Sequence, residues 1–391
     1  AFILHALLNL NLIDPVERAI ERFPHRQTRL GYFRSQEGEW DSNGQVLWIL
    51  DRYRCLTGRA LSKPLVEALV KGAWWIKNKR LSDALEEPHA GLLPAGFSAE
   101  HLGPNDYYYW DDFWSVSGLR SAAAVLRDRN EQRLAQAFDR EAELLLAAID
   151  RSLERTASLR RHAGVPASPY RRMDAGAIGS LAVGYPLALW PACEPRLLDT
   201  AAFLMDHCRV HGGFFQDMIH SGINPYLTLH LAQVLLRAGD GRYWDLVRTV
   251  AELASPTGQW PEAVHPHTLG GCMGDGQHIW AAAEWVMMIR HLFIREEGDR
   301  LIVGAGLPRA WLTGRQPLRF GPTPTPYGPV TIRIEPGPQQ VRVHLDAAWR
   351  GQPPTIEVSL RGCRGLIAHD GPRCIELERL PADAQAQEAA P

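Results

Sequence analysis

The chain has few cysteines, no long apolar run and almost no net charge, and each shortage removes a class of function. Cys55, Cys193, Cys208, Cys272, Cys363 and Cys374 are scattered over 391 residues without a Cys-x-x-Cys spacing. That pattern argues against a disulfide-stapled miniature fold, and the thiols read as the reduced ones of a cytoplasmic protein. No apolar stretch reaches the ~18 residues of a membrane span, so no membrane partner is expected. Lys and Arg number 42 against 44 Asp and Glu, a formal net charge of -2. Such a balance offers no field of one sign, and nucleic acid is not an expected partner. The opening "AFILHALLNLNL" has no initiator Met and no basic n-region, so it does not read as an intact signal peptide. It reads as the middle of a helix, and the sequence is expected to begin inside a domain.

What is present is a folded composition: 46% hydrophobic with 22% charged residues, the balance of a globular chain. Its length allows one large core or two domains. Tryptophan is abundant at 13 and histidine at 15. Excess indole fits either a core of large side chains or a carbohydrate site, where flat rings stack on sugar faces.

Up to about Glu297 one theme repeats: helical apolar periodicity, a Gly/Pro loop, then another helix. The pattern predicts eleven helical stretches, at 1–12, 15–23, 42–57, 63–79, 111–127, 130–155, 174–185, 194–208, 224–238, 242–253 and 275–294. The loops alternate between short ones such as "AGDGR" and long ones rich in Gly, Trp, His and acids. If helices pair into a ring of hairpins, every second loop falls on one rim and the rich loops converge there. The expected fold is therefore mainly α, a toroid over 1–297. After Glu297, "VTIRIEP", "QQVRVHLD" and "TIEVSLRG" alternate as strands do, which predicts a small β-sandwich-like domain over 298–380. The tail 381–391, "PADAQAQEAAP", is poor in bulky apolar residues and is expected to be disordered.

Two segments carry candidate chemistry. In "YYYWDDFW", Tyr107–Trp114, six rings surround Asp111 and Asp112. Burial and a neighbouring acid both raise a carboxyl pKa, so either acid has the setting of a proton donor; equally, one could cap the helix that follows. In "TGQWPEAVHP", Glu262 follows a proline in a long loop between Trp260 and His265. Hydrolysis of a glycosidic bond needs such a pair, one protonated carboxyl and one ionised. Trp40, Asp41, Asn43 and Gln45 in "GEWDSNGQ", Arg172 and Asp174 in "RRMDAG", and Asn224 in "SGINPY" read as substrate binders or as turn and cap residues. Tyr109, Trp110, Asp112, Trp260, His265 and His278 complete the candidate binding set. His265, His267, Cys272 and His278 are zinc ligands by type, but their spacing fits no standard zinc loop. No metal and no cofactor are expected. Glu284, within an apolar helix, is open between a buried partner for an Arg and a solvated position.

In order along the chain, these segments resemble the glucoamylase-like, six-hairpin (α/α)6 glycoside hydrolases, including the amylo-1,6-glucosidase type. "YYYWDDFWSVSGLRSAAAVL" is similar to the family's third inner helix, whose first acid is the general acid; the resemblance places that role on Asp111. "GQWPEAVHP" ahead of "GQHIWAAAEWVMMI" resembles the loop carrying the general base, which places that role on Glu262. "GEWDSNGQVLWIL" and "DAGAIGSLAVGYPL" resemble the starts of the second and fourth inner helices. "LIVGAGLPRAWL" resembles the β appendage that follows the toroid. The likeness spans most of Gly31 to Glu297 and implies an inverting hydrolase of α-linked glucosides or oligosaccharides. The family's Trp/Tyr-x-Arg-Asp segment has no counterpart, since "RYWD" at Arg242–Asp245 is misplaced. Eleven helices with a first element missing match that gap, and so does the alternative of a catalytically impaired carbohydrate-binding toroid. A toroidal zinc enzyme is the remaining alternative.

Overall fold

The computed structural model describes residues 1–97, 104–159, 161–218, 221–314 and 316–381. Of the tail expected at 381–391, only Pro381 falls within the described residues. Helices occupy α1 (Phe2–Asn9), α2 (Ile13–Ile20), α3 (Phe23–Arg26), α4 (Asp41–Thr57), α5 (Lys63–Lys79), α6 (Tyr109–Asp128) and α7 (Gln132–Thr156). They continue as α8 (Pro195–His207), α9 (Pro225–Arg237), α10 (Tyr243–Glu252), α11 (Ile279–Phe293) and the short α12 (Arg309–Leu312).

The segment expected as a helix at 174–185 is instead a 3-10 helix, Ala175–Val183. Gly176 and Gly179 weaken an α-helix there, and the Asp174 carboxylate accepts from the Gly176 amide at 2.8 Å, tightening the first turn.

Six inner elements close a ring. α1 packs on α4, α4 on α6, α6 on the 3-10 helix, that helix on α9, α9 on α11, and α11 back on α1. Outside them lie α2, α5, α7, α8 and α10, each against its inner neighbour. The chain is an (α/α)6 toroid with a C-terminal β region. Burial sorts the two layers: every residue of α9 from Pro225 to Leu236 is buried, whereas α7 buries one stripe and exposes the other, as inner and outer positions require. Where α4 crosses α6 the backbones touch. A Cβ on Gly44 would lie 2.3 Å from the Trp114 carbonyl oxygen, and one on Gly118 would lie 2.7 Å from Gly44 Cα. Only glycine permits that approach.

The long loops are not structureless. β1 (Arg209–Val210), β2 (Gly213–Gln216), β3 (Gly222–Ile223), β4 (Ala263–Val264) and β5 (Gly271–Met273) form one antiparallel sheet in that order. Strands this short carry no alternation to read.

The C-terminal region has two four-stranded sheets. One is β8 (Leu318–Thr323), β9 (Val330–Pro336), β10 (Gln340–Ala347) and β13 (Cys374–Glu378), ordered β13-β10-β9-β8. The other is β6 (Ile294–Glu297), β7 (Arg300–Val303), β11 (Thr355–Val358) and β12 (Leu366–Ala368), ordered β12-β11-β7-β6. β6 runs directly out of α11, so sheet and ring share one apolar core that joins Leu8 and Leu292 to Val330 and Ile356. Thr323 Oγ1 donates to the Asn9 carbonyl at 3.4 Å, and Arg290 Nη2 donates to the Pro324 carbonyl at 3.1 Å. Among the described residues no helix is long and apolar enough to cross a membrane.

Candidate active site

The inner elements start at one rim, as a chain of rings shows. Phe2, opening α1, stacks on Trp280 of α11 at 4.5 Å and lies 6.4 Å from Trp110 of α6. Trp280 in turn lies 4.7 Å from Tyr226 of α9, whose ring is 4.8 Å from His278. Trp110 Nε1 donates to Asp41 Oδ2, in the first residue of α4, at 2.8 Å. These rings fill the axis and form a floor beneath the mouth. Helix N-termini carry partial positive charge, and the carboxylates of Asp41, Asp111, Asp112 and Asp174 stand on or beside them.

The α6 acids face different ways. At ~100° per residue, Trp110 and Trp114 share the axial face, Asp112 lies on the opposite side, and Asp111 lies between. Asp112 accepts from the Leu93 amide at 2.9 Å, away from the mouth. Burial pushes its carboxyl up to about 8, against the opposing pull of that amide and of Arg80. Asp111 is equally buried, at 1% exposure. Asp41, whose pKa burial also raises, accepts from Trp110 and, at 2.6 Å, from Gln45 Nε2. Asp41 and Gln45 line a cavity of about 390 Å3 beside the start of α4.

Glu262 is half-buried and is held by its backbone. Its amide donates to the Met273 carbonyl at 3.2 Å, its carbonyl accepts from Asn224 Nδ2 at 3.1 Å, and β4 begins at the next residue. Since Asn224 precedes Pro225, the first residue of α9, the small sheet pins Glu262 to the rim where α9 and α11 start. That is the structural purpose of the two-residue strands.

The remaining candidates divide. Arg172 and Asp174 line a cavity of about 780 Å3 beside the 3-10 helix, where Asp174 also pairs with Arg171 at 2.7 Å. His278 stands on Tyr226. Several others serve the scaffold. Asn43 accepts from the Phe33 amide and donates to the carbonyls of Gly31 and Gly72. Tyr109 meets Ser152 of α7 at 2.8 Å. Trp40 packs with Tyr32 and Trp75 under Lys79, and Trp260 donates to the Val250 carbonyl of α10 at 2.8 Å. His265 Nδ1 accepts from the amides of His267 and Thr268 within its own turn. Among the described residues no group of three or more His, Cys, Asp or Glu could hold a metal ion.

Beneath the aromatic floor lies a network that sequence reasoning left open. Glu284, at 0% exposure, accepts from the Tyr185 hydroxyl at 2.8 Å and sits 3.3 Å from His230 Nε2. Its partners are thus a tyrosine and a histidine, and burial, together with the neighbouring carboxylate, raises the Tyr185 pKa well above its ordinary value. Phe2, Tyr226 and Trp280 were also not singled out in the sequence; nothing in their spacing marks them as axial.

No family model and no curated protein sequence matches the chain. Solved structures do resemble it. A bacterial glucoamylase in complex with acarbose is similar over 74% of this chain and 47% of its own, at 14% identity and a TM-score of 0.54. A wild-type glycosidase matches over 74% and 85%, with 14% identity and a TM-score of 0.54. The α-L-rhamnosidase of Aspergillus terreus matches over 96% and 45%, with 14% identity and a TM-score of 0.55. The chain spans about half the length of that glucoamylase. At this identity the likeness is one of fold.

Proposed function

We propose that the chain is an inverting glycoside hydrolase of the glucoamylase or amylo-1,6-glucosidase type, acting on α-linked glucosides or oligosaccharides. Asp111 is the general acid and Glu262 the general base. The observation that carries this reading is the shared rim: an acid in the first turn of α6 and an acid pinned at the start of α9 flank one aromatic floor. The similarity in fold to a glucoamylase holding acarbose adds to it.

On this reading Asp111 passes a proton to the leaving glycosidic oxygen. Glu262 takes a proton from the water that attacks the anomeric carbon on the opposite face. The two carboxyls are expected to stand roughly 6.5–9.5 Å apart, leaving room for that water. Trp280, half-buried above Phe2, offers a face to a sugar ring. Asp41, Gln45 and Asn224 offer hydrogen bonds around it, with Arg172, Asp174 and His278 at the edges. Because Asp111 is 1% exposed, turnover requires the mouth to open above it. A cytoplasmic setting, in which all six thiols stay free, is part of the proposal.

That same burial favours a second reading, a carbohydrate-binding toroid without turnover. Reducing-sugar release from malto- and isomalto-oligosaccharides, measured beside calorimetric binding of the same sugars, separates the two. Release supports the hydrolase. Binding without release supports the second reading, and neither binding nor release overturns both.

A further inference from the structure

The opposite end of the ring holds a second cavity, of about 300 Å3. Its wall takes a residue from, or just beyond, each of the six inner elements: His5, Trp48, Arg120, Tyr185, Arg237 and His291. Arg52 and Arg295 join them. It therefore lies on the ring axis below the Glu284 network, away from the mouth and from both proposed catalytic acids.

Its charge is unbalanced. Of the carboxylates in the wall, Asp51 is engaged by Arg52 and Arg54, and Glu296 is held by both terminal nitrogens of Arg290. Arg237 is matched by Glu297. Two guanidinium groups are left over. Arg295 is 8% exposed, and its Nε and Nη1 have no hydrogen-bond partner; Arg120 makes no ion pair within the described residues. A buried guanidinium without an acceptor is destabilising unless something completes it. Burial and nearby arginines hold His5 and His291 well below the usual imidazole range, so these rings stay neutral and the local charge is carried by guanidinium. Helix C-termini favour cations nearby, which accounts for Arg237 in the last turn of α9. It does not account for Arg295, a guanidinium in the cavity wall whose Nε and Nη1 are buried without an acceptor.

We propose that this cavity is an anion site that takes a phosphate group, with Arg295 and Arg120 as its principal donors. Guanidinium forks suit tetrahedral oxyanions. Trp48, Tyr185 and Leu187 supply a part-apolar wall that suits a sugar carrying the phosphate, and the volume is at the lower end of small-ligand sites. The cavity is bounded by residues of all six inner elements, so a ligand filling it ties them together. This inference does not depend on the glycosidase reading.

The test titrates the intact chain with inorganic phosphate and, separately, with glucose 6-phosphate, in calorimetry and thermal denaturation, against sodium chloride at matched ionic strength. Phosphate-specific binding is expected, with a rise in melting temperature that chloride does not give. Arg120→Gln, on the exposed edge of α6, should fold normally and weaken binding roughly ten- to hundredfold, the loss of one charge-assisted hydrogen bond. Arg295→Gln should do the same or more. Tighter binding of glucose 6-phosphate identifies a phosphorylated sugar as the ligand, and equal binding identifies free phosphate. If neither probe binds beyond the chloride control, or if Arg120→Gln binds both as wild type does, the site is overturned.

Discussion

The two ends of this ring are built from the same six elements and carry opposite charge. At the rim where the inner helices begin stand Asp41, Asp111, Asp112, Asp174 and Glu262; around the cavity at the far end stand Arg52, Arg120, Arg237 and Arg295. The helix dipole favours the acids at the N-termini and, at the far end, Arg237 in the last turn of α9; Arg52 and Arg120 lie further inside α4 and α6. Charge sign alone therefore marks neither end as functional. What distinguishes each end is what the dipole does not explain. At the starting end of α6, burial overrides a favourable helix terminus and pushes Asp112, which faces away from the mouth, up to about 8. At the far end, a buried guanidinium lacks an acceptor.

The comparison breaks most sharply at the two proposed catalytic acids. Asp111→Asn and Glu262→Gln should each lower kcat by about 10²–10⁴-fold, with melting temperatures within a few degrees of wild type. Retention of most activity by either variant removes its assigned role.

Asp112 tests the effect of burial on the first turn of α6 through stability. Its folded pKa lies above the ordinary value, so its contribution is intact below about pH 4. It is then lost as pH rises toward 8, because the unfolded chain releases a proton that the folded chain keeps. The slope across that window is ~1.4 kcal/mol per pH unit. Asp112→Asn should flatten it and gain stability relative to wild type at pH 8, as read from denaturation midpoints between pH 4 and 9. Parallel curves for the two proteins would show that Asp112 is not held protonated.

The smallest effect belongs to Asp174→Ala. Loss of the cap on the 3-10 helix and of the Arg171 pair should cost about 1 kcal/mol. Sugar affinity that falls further than stability would show that Asp174 reaches the ligand.

Much of the ring was legible because its signals are local. α5 runs over the residues its periodicity predicts, with Ser62 and Pro64 marking its start. The small sheet was not legible: it joins segments as distant as Gly213 and Met273 through strands too short to alternate. Trp40 and Trp110 look alike in sequence, each beside an acid and opening a helix. Yet one is packed under Lys79 on the outer side, and the other binds Asp41 at the mouth. Asp111 and Asp112 are neighbours in sequence and face different ways on the helix, a distinction that composition around them cannot carry. The arginine cavity was invisible because its residues come from six separate elements and form no motif.

The most direct measurement of the catalytic claim is the anomeric proton signal of glucose released from a malto-oligosaccharide, followed by NMR over the first minutes. Water activated by Glu262 on the face opposite Asp111 gives the β-anomer first, with the α-anomer appearing only by mutarotation. Initial α-anomer would contradict an acid and a base facing each other across the mouth of this ring.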